Sequence, residues 1–278
     1  MSDNGVATTG TERGEGLRIG LMVPSSNTMM EPDFARELPA GWTLHTARMY
    51  LEDTTAAGEY RMLDEFVLPA ARDLGTARPH VVVFGCTSAG ALRGSDYDRQ
   101  LCERISELTG APAVSTIQAV RTAIERAAAR RVGVVTPYVD ELNDRIRASI
   151  EADGVEVVRI AGLGMTENFE IARVPADRIV AFAVEALGGL DIDLVFASCT
   201  NFGAMAAIPE LAARLHRPVV TSNQAVLAAA VEQARPVAVS EPKGRGAVWT
   251  EERGTSDEGR RRLRGVPEAS GQHSVRRA

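Results

Sequence analysis

The chain contains one sequence pattern twice, and this internal repeat constrains its fold more than any other feature. Arg18–Ser25 matches Arg131–Tyr138, and Val83–Gly90 matches Phe196–Gly203, in both cases with a shift of 113 residues. A chance likeness between two strand–turn segments would explain one such match, but not two at the same shift. The repeat therefore predicts a duplicated domain.

A later match marks where the two copies differ in length. Gln118–Val120 corresponds to Gln224–Val226 with a shift of 106 residues, so the second copy is seven residues shorter after its cysteine. Between the first two matches, the shift of 113 also superimposes the apolar positions of two helical patterns, as expected of equivalent helices.

Each copy alternates short apolar runs with segments of helical periodicity. Strands are predicted at Leu17–Val23, Thr43–Arg48, Val81–Phe84, Val132–Val135, Val155–Ile160, Leu194–Phe196 and Pro218–Val220. Helices are predicted at Glu59–Leu74, Tyr97–Leu108, Gln118–Ala129, Val139–Ala152 and Ala176–Leu187. Almost wholly apolar strands joined by helices are typical of parallel sheets that are covered on both faces. The sequence thus predicts an α/β fold with two similar Rossmann- or flavodoxin-like domains.

The two ends of the chain differ from its middle in composition. Residues 1–16 and 236–278 are rich in Gly, Ser, Glu and Arg and poor in large apolar residues, which predicts disordered tails. The first α/β domain is predicted to comprise residues 17–115 plus 219–235, and the second residues 116–218.

Composition excludes several classes of function. Lys and Arg number 31 against 37 Asp and Glu, and the net charge of −6 argues against a nucleic-acid or membrane partner. No apolar run approaches the ~20 residues that span a bilayer, and no signal peptide begins the chain, so we expect a cytoplasmic protein. The four histidines show no metal-ligand spacing, and no phosphate-binding glycine loop occurs, so neither a metal nor another cofactor is expected.

The cysteines are the strongest candidates for chemistry. An odd count of three favours free thiols over disulfides. Cys86 and Cys199 share one repeat position, each directly after a buried strand, where open α/β sheets bind ligands. Two facing domains would bring these thiols to opposite walls of one cleft. Cys102 has no counterpart in the second copy and is interpreted as structural.

The segments after Cys86 and Cys199 suggest how the thiols could act. Each cysteine precedes Thr and a second polar residue at the start of a helical pattern, where helix N-termini lower thiol pKa values and bind carboxylates. Two such thiols could form an acid–base pair, or one could add to an activated double bond while the other moves the proton. A lone cysteine after a strand is more often a small buried apolar residue, but the shared repeat position favours the functional interpretation.

Other polar residues follow the predicted strands. Ser25, Ser26 and Asn27 follow the first strand, Tyr138 follows the fourth, and Asn168 lies in a turn. Asn and Tyr side chains can hold carboxylate oxygens without adding charge. Taken singly, each of these residues could equally cap a helix or close a turn.

Together these motifs resemble the aspartate/glutamate racemase superfamily, and most closely its maleate cis–trans isomerase branch. The resemblance runs from about Leu17 to Gln233. It rests on the segments Val23–Thr28, Gly85–Ser88, Thr136–Asn143, Gly162–Asn168 and Ser198–Asn201. It implies two similar α/β domains related by a pseudo-twofold axis, an active site in the cleft between them, and a homodimer or higher homo-oligomer.

The resemblance also implies a role for each matching residue. Cys86 would be the nucleophile that adds to the double bond of maleate, a small dicarboxylate, and Cys199 would handle the proton before fumarate is released without any cofactor. The residues implied to bind the two carboxylates are Asn27, Tyr138 and Asn168. Supporting hydrogen-bond donors would be Ser25, Thr87, Ser88, Thr200 and Asn201.

Alternative functions remain open at this point. Cys86 and Cys199 could be the two bases of a cofactor-independent racemase acting on aspartate, glutamate or a hydantoin, although no acid is assigned to recognise a substrate nitrogen. A decarboxylase of the arylmalonate type is disfavoured, because that branch resembles a one-cysteine site. A catalytically silent dicarboxylate-binding protein would instead have thiols that alkylate slowly.

Overall fold

A computed structural model describes residues 16–240 of the chain. The predicted N-terminal tail lies outside this range except for Gly16. The C-terminal tail is predicted to begin at residue 236, but the last helix continues to Ser240. The remainder of that tail lies outside the described residues.

The first half of the described chain forms one parallel sheet with covering helices. Its elements are β1 (Arg18–Pro24), α1 (Met30–Glu37), β2 (Thr43–Met49), α2 (Ala56–Arg61), a π-helical turn (Met62–Phe66), α3 (Val67–Gly75), β3 (Val81–Phe84), α4 (Thr87–Leu92), α5 (Ser95–Thr109) and β4 (Ala113–Ser115). The strand order is β2-β1-β3-β4, and every neighbouring pair is parallel.

The second half forms an equivalent sheet. Its elements are α6 (Thr116–Arg126), β5 (Arg131–Thr136), α7 (Asp140–Glu151), β6 (Glu156–Gly162), α8 (Asn168–Ile171), α9 (Ala176–Leu187), β7 (Leu194–Ala197), a 3-10 turn (Ala204–Ala207), α10 (Ile208–Leu215), β8 (Val219–Thr221) and α11 (Ser222–Ser240). The order β6-β5-β7-β8 repeats that of the first sheet, again with parallel neighbours.

Strand register confirms the internal repeat. In the first sheet Ile19 pairs with Val81, and in the second Val132 pairs with Leu194, so both partners move by the same 113 residues. The predicted α/β class with two similar parallel sheets is therefore confirmed.

Two short strands differ from the sequence expectation. β4 was not predicted, because three residues with one polar end carry too little periodicity. Val219–Thr221 was assigned to the first domain, but it pairs as β8 with β7 in the second sheet. That boundary was wrong because β8 and the helix that follows it contact different parts of the fold. β8 pairs in the second sheet, whereas α11 packs against β3 of the first sheet and against α6.

The central strands are fully covered, which fixes where polar chemistry can occur. All four residues of β3 and all four of β7 are buried. Helices approach the sheets closely at the repeat-equivalent Gly20 and Gly133, where Leu74 and Leu187 occupy the space that a Cβ would need. Polar side chains therefore gather beyond the carboxyl ends of the strands.

Hydrogen bonds between the two halves join them into one compact unit. The loops that follow β2 and β6 are paired, since the Thr54 amide donates to the Thr166 carbonyl at 2.6 Å and the Asn168 amide donates to the Glu52 carbonyl at 3.2 Å. Among the described residues, no helix combines the length and apolar character that crossing a bilayer demands.

Candidate active site

Cys86 and Cys199 lie two residues beyond the ends of the equivalent strands β3 and β7 and are 5% and 6% exposed. Cys86 lies directly before α4, with its Sγ 3.9 Å from the hydroxyl of Ser88. Cys199 has a backbone φ of +103°, a region that L-residues rarely adopt and that costs about 1–3 kcal/mol. Its amide donates to the Ser222 hydroxyl at 3.0 Å, and its Sγ accepts the Asn201 amide at 3.3 Å. The surrounding contacts thus hold Cys199 in a strained backbone conformation.

The Cys199 thiol lies close enough to Cys86 to influence its ionisation. Burial raises the pKa of Cys86 well above its usual value, and the negative charges of Glu59 and Cys199 raise it further. Burial also raises the pKa of Cys199, to about 11. The structure therefore brings the two predicted catalytic cysteines into one site.

Two sequence expectations about the thiols were wrong. Helix N-termini were expected to lower both pKa values, but desolvation outweighs the nearby backbone N–H groups in this buried site. In addition, Cys199 is followed by a turn and the short 3-10 helix rather than by an α-helix. Of the two cysteines, Cys86 alone therefore lies at the N-terminus of an α-helix, the six-residue α4.

Tyr138 follows β5 and is 1% exposed. Its hydroxyl forms a hydrogen bond with the Cys199 thiol, which opposes the effect of burial and lowers the pKa of that thiol. Burial and the charges of Cys199 and Cys86 raise the pKa of Tyr138 well above its usual value, so the phenol stays protonated as a donor. The predicted site residue Tyr138 thus lies beside both cysteines.

A buried acid, Glu59, completes this group and was not predicted. Its side chain lies in α2, where it accepts a hydrogen bond from the Ser88 hydroxyl through Oε1. Burial raises its pKa to about 8. Sequence periodicity placed Glu59 at the start of a helix, but no local signal marks a helix acid as buried.

The predicted carboxylate ligand Asn27 also joins the two halves. Its Oδ1 accepts the amides of Met29 and Met30 at the start of α1, as the capping interpretation expected. Its Nδ2 donates to the Thr200 hydroxyl at 3.1 Å, and that hydroxyl donates to the Gly85 carbonyl at 3.1 Å. Asn27 and Thr200 therefore fix the strand ends that carry both cysteines.

Asn168 and Asn201 form a second buried connection. The Asn201 side chain accepts the Thr28 amide at 2.9 Å and donates to the Asn168 carbonyl at 2.6 Å. The Asn168 side chain accepts the Thr54 hydroxyl at 3.1 Å and donates to Ser26 at 2.8 Å. Each amide nitrogen, including that of Asn27, has two N–H groups and uses one of them in these contacts.

The remaining predicted donors have local structural partners. The Ser25 hydroxyl accepts the Leu51 amide at 3.0 Å and holds the loop after β2. Thr87 donates to Ser222 at 2.9 Å, and Ser222 in turn accepts the Cys199 amide. Ser222 was missed, although its repeat equivalent, Thr116, similarly begins a helix after a short strand.

Cys102 lies on α5, outside this cluster. It is buried, and burial followed by the charge of Asp98 raises its pKa. Within residues 16–240, no three His, Cys, Asp or Glu side chains are grouped to hold a metal ion.

Comparison with known proteins identifies relatives of this site. The family model described as arylmalonate decarboxylase matches residues 19–247. A maleate isomerase of Geobacillus stearothermophilus is 28% identical over 223 residues, covering 74% of this chain and 87% of the relative. An arylmalonate decarboxylase of Bordetella bronchiseptica is 30% identical over 234 residues, covering 84% and 96% respectively.

A solved structure agrees with these sequence matches. A maleate isomerase of Pseudomonas putida S16, solved with maleate, superimposes with a TM-score of 0.72 at 28% identity, covering 77% of this chain and 90% of that chain. The chain is an isomerase and belongs to the arylmalonate decarboxylase/maleate isomerase family of the aspartate/glutamate racemase superfamily.

Proposed function

We propose that this chain converts maleate to fumarate without a cofactor, through covalent addition of the Cys86 thiolate. The observation that carries the proposal is the meeting of two repeat-equivalent cysteines, Cys86 and Cys199, in one buried site beside Tyr138. The maleate isomerase relatives support this choice of substrate.

The chemistry requires one nucleophile and one proton carrier. The Cys86 thiolate adds to one alkene carbon, so a C–S bond forms as the π bond breaks. The other alkene carbon takes the proton of the Cys199 thiol, which leaves a succinyl thioether on Cys86. Rotation about the new single bond follows. The Cys199 thiolate then removes a proton, the double bond forms again, and the C–S bond breaks to return the Cys86 thiolate.

Neutral donors suit a dicarboxylate here. Asn27 and Asn168 each have an uncommitted amide N–H in the described contacts, and Tyr138 carries a phenol that stays protonated. Supporting contacts come from further predicted donors. Thr87, Ser88, Thr200 and Asn201 form contacts around the two cysteines, and Ser25 holds the loop after β2. Such donors hold carboxylates through hydrogen bonds and add no charge of their own to the site.

Proton NMR of the reduced protein with maleate tests the proposal. We expect the vinyl signal of fumarate to appear without any added cofactor. Cys86→Ala should abolish turnover while the fold is retained, because the substitution removes only a small buried group. Cys102→Ala is the matched control, since it also removes a buried thiol but lies outside the site. Full activity of Cys86→Ala would contradict covalent catalysis by this residue.

A racemase remains the second candidate, because two thiols at one site could serve as opposing bases on an α-carbon. Exchange of the α-proton of aspartate, glutamate or a hydantoin in deuterated water, with no conversion of maleate, would favour it. A homo-oligomeric state and a cytoplasmic location stay predictions.

A further inference from the structure

Among the residues that the structure describes at this site, Glu59 is an ionisable group that the chemistry above leaves without a role. It is 0% exposed, although it lies near the start of a helix. Its Oε1 accepts the Ser88 hydroxyl, whereas its Oε2 has no hydrogen-bond partner in the described part of the chain. A buried carboxyl oxygen without a hydrogen-bond partner lowers the stability of the folded chain by about 1–3 kcal/mol.

Glu59 lies next to the reacting groups. Its charge would raise the pKa of Cys86, Cys199 and Tyr138, which come from three different strand ends. Ser88 connects it physically to Cys86, since the Ser88 hydroxyl donates to Glu59 and lies 3.9 Å from the Cys86 thiol.

No described cation neutralises Glu59. Burial and the Ser88 hydroxyl are the two influences on its ionisation. Arg93, which directly follows α4, has other partners: its guanidinium forms two hydrogen bonds with Asp64, at 2.7 Å each, and one with Tyr97. An ionised Glu59 would therefore be an unpaired buried charge, and it would oppose both the Cys86 thiolate and a substrate with two carboxylates.

We propose that Glu59 is a substrate-binding residue that stays protonated, and that the proton on its Oε2 forms a hydrogen bond with a substrate carboxylate. The assignment deepens the proposed function and rests on it for the substrate class. It makes Glu59 a neutral donor like Tyr138, with Ser88 orienting its other oxygen.

Binding of succinate, an unreactive dicarboxylate, tests this assignment separately from turnover. Calorimetry between pH 6 and pH 9.5 should show wild-type affinity falling at least tenfold as the pH rises through about 8, because Glu59 loses its donor proton. Glu59→Gln keeps a neutral donor, so its affinity should stay within about threefold of the value at pH 6 across this range. Glu59→Ala should bind weakly at every pH.

A second readout places Glu59 beside the nucleophile without any ligand. The pH midpoint for alkylation of Cys86, followed by peptide mass spectrometry, should shift to lower pH in Glu59→Gln, because a nearby negative charge has been removed. Cys102, which does not sense Glu59, should alkylate with an unchanged midpoint.

Two results would overturn the proposal. One is an alkaline loss of succinate affinity that persists unchanged in Glu59→Gln. The other is wild-type affinity that stays at its pH 6 value above pH 8, which would mean that succinate binding needs no proton on Glu59. If maleate is not isomerised but succinate binding shows the expected pH dependence, the proposed function fails and the role of Glu59 stands.

Discussion

The Tyr138 side chain opposes the effect of burial on the pKa of Cys199. Desolvation alone disfavours a thiolate at Cys199, and the Tyr138 hydroxyl opposes this effect by donating a hydrogen bond to the sulfur. The same phenol has its own pKa raised by burial and by both cysteines, so it remains a donor throughout the physiological pH range.

Tyr138→Phe should therefore make Cys199 less reactive. Without the hydroxyl, the pKa of Cys199 rises above its value of about 11, so less thiolate exists at any given pH. Iodoacetamide labelling of Cys199 at pH 9, quantified by mass spectrometry, should slow several-fold. Tyr50→Phe, which removes an exposed phenol, is the control. Equal labelling rates in Tyr138→Phe and wild type would show that the phenol does not stabilise the thiolate.

At the scale of elements, both copies of the repeat pack a helix against the sheet at an equivalent glycine. A Cβ at Gly20 would lie 3.0 Å from both Leu74 Cδ2 and Pro79 Cβ, and one at Gly133 would lie 2.8 Å from Ile192 Cδ1 and 3.0 Å from Leu187 Cδ2. Leu74 and Leu187 are themselves repeat equivalents. Glycine in β1 and β5 therefore lets α3 and α9 approach the strands closely.

Gly20→Ala and Gly133→Ala should each lower the free energy of unfolding by about 1–2 kcal/mol, because the strain of an added methyl group exceeds the entropic benefit of removing glycine. Urea denaturation followed by circular dichroism would measure this. Gly203→Ala is a suitable control, since its Cβ would meet a single atom, the flexible Met29 methyl, at 3.2 Å. A stability loss in one copy but not the other would contradict equivalent packing.

At the scale of the whole molecule, buried hydrogen bonds hold the two sheets together. The contacts between Asn27 and Thr200, between Thr28 and Asn201, and between Asp33 and Asn223 each join residues more than 170 positions apart. The bonds of Asn27 and Asn201 lie next to the cysteines, so the contacts that assemble the candidate active site also join the halves.

We expect the described unit to unfold in one cooperative transition, because separating the halves would expose these polar groups and the apolar surface beside them. Asn201→Ala should lower the free energy of unfolding by about 2–4 kcal/mol, since it leaves the Thr28 amide and the Asn168 carbonyl without partners. Differential scanning calorimetry would test both points. Two resolved transitions in the wild type would contradict the cooperative coupling.

The α/β class, most strand positions and the equivalent placement of two cysteines were predictable from the sequence. Apolar runs and helical periodicity depend on nearby residues, and the shift of 113 residues placed Cys86 and Cys199 at equivalent strand ends before any contact was known. The helix Ala176–Leu187 and the strand Val81–Phe84 were predicted to the residue.

Other features depend on contacts between residues distant in the chain. Burial of Glu59 arises because α2 packs on α4, and the raised thiol pKa values follow from desolvation by both halves. The membership of β8 in the second sheet is likewise a matter of strand pairing. Periodicity reports which face of an element is apolar, but the solvation of a polar group depends on everything folded around it, and here that environment comes from both copies of the repeat.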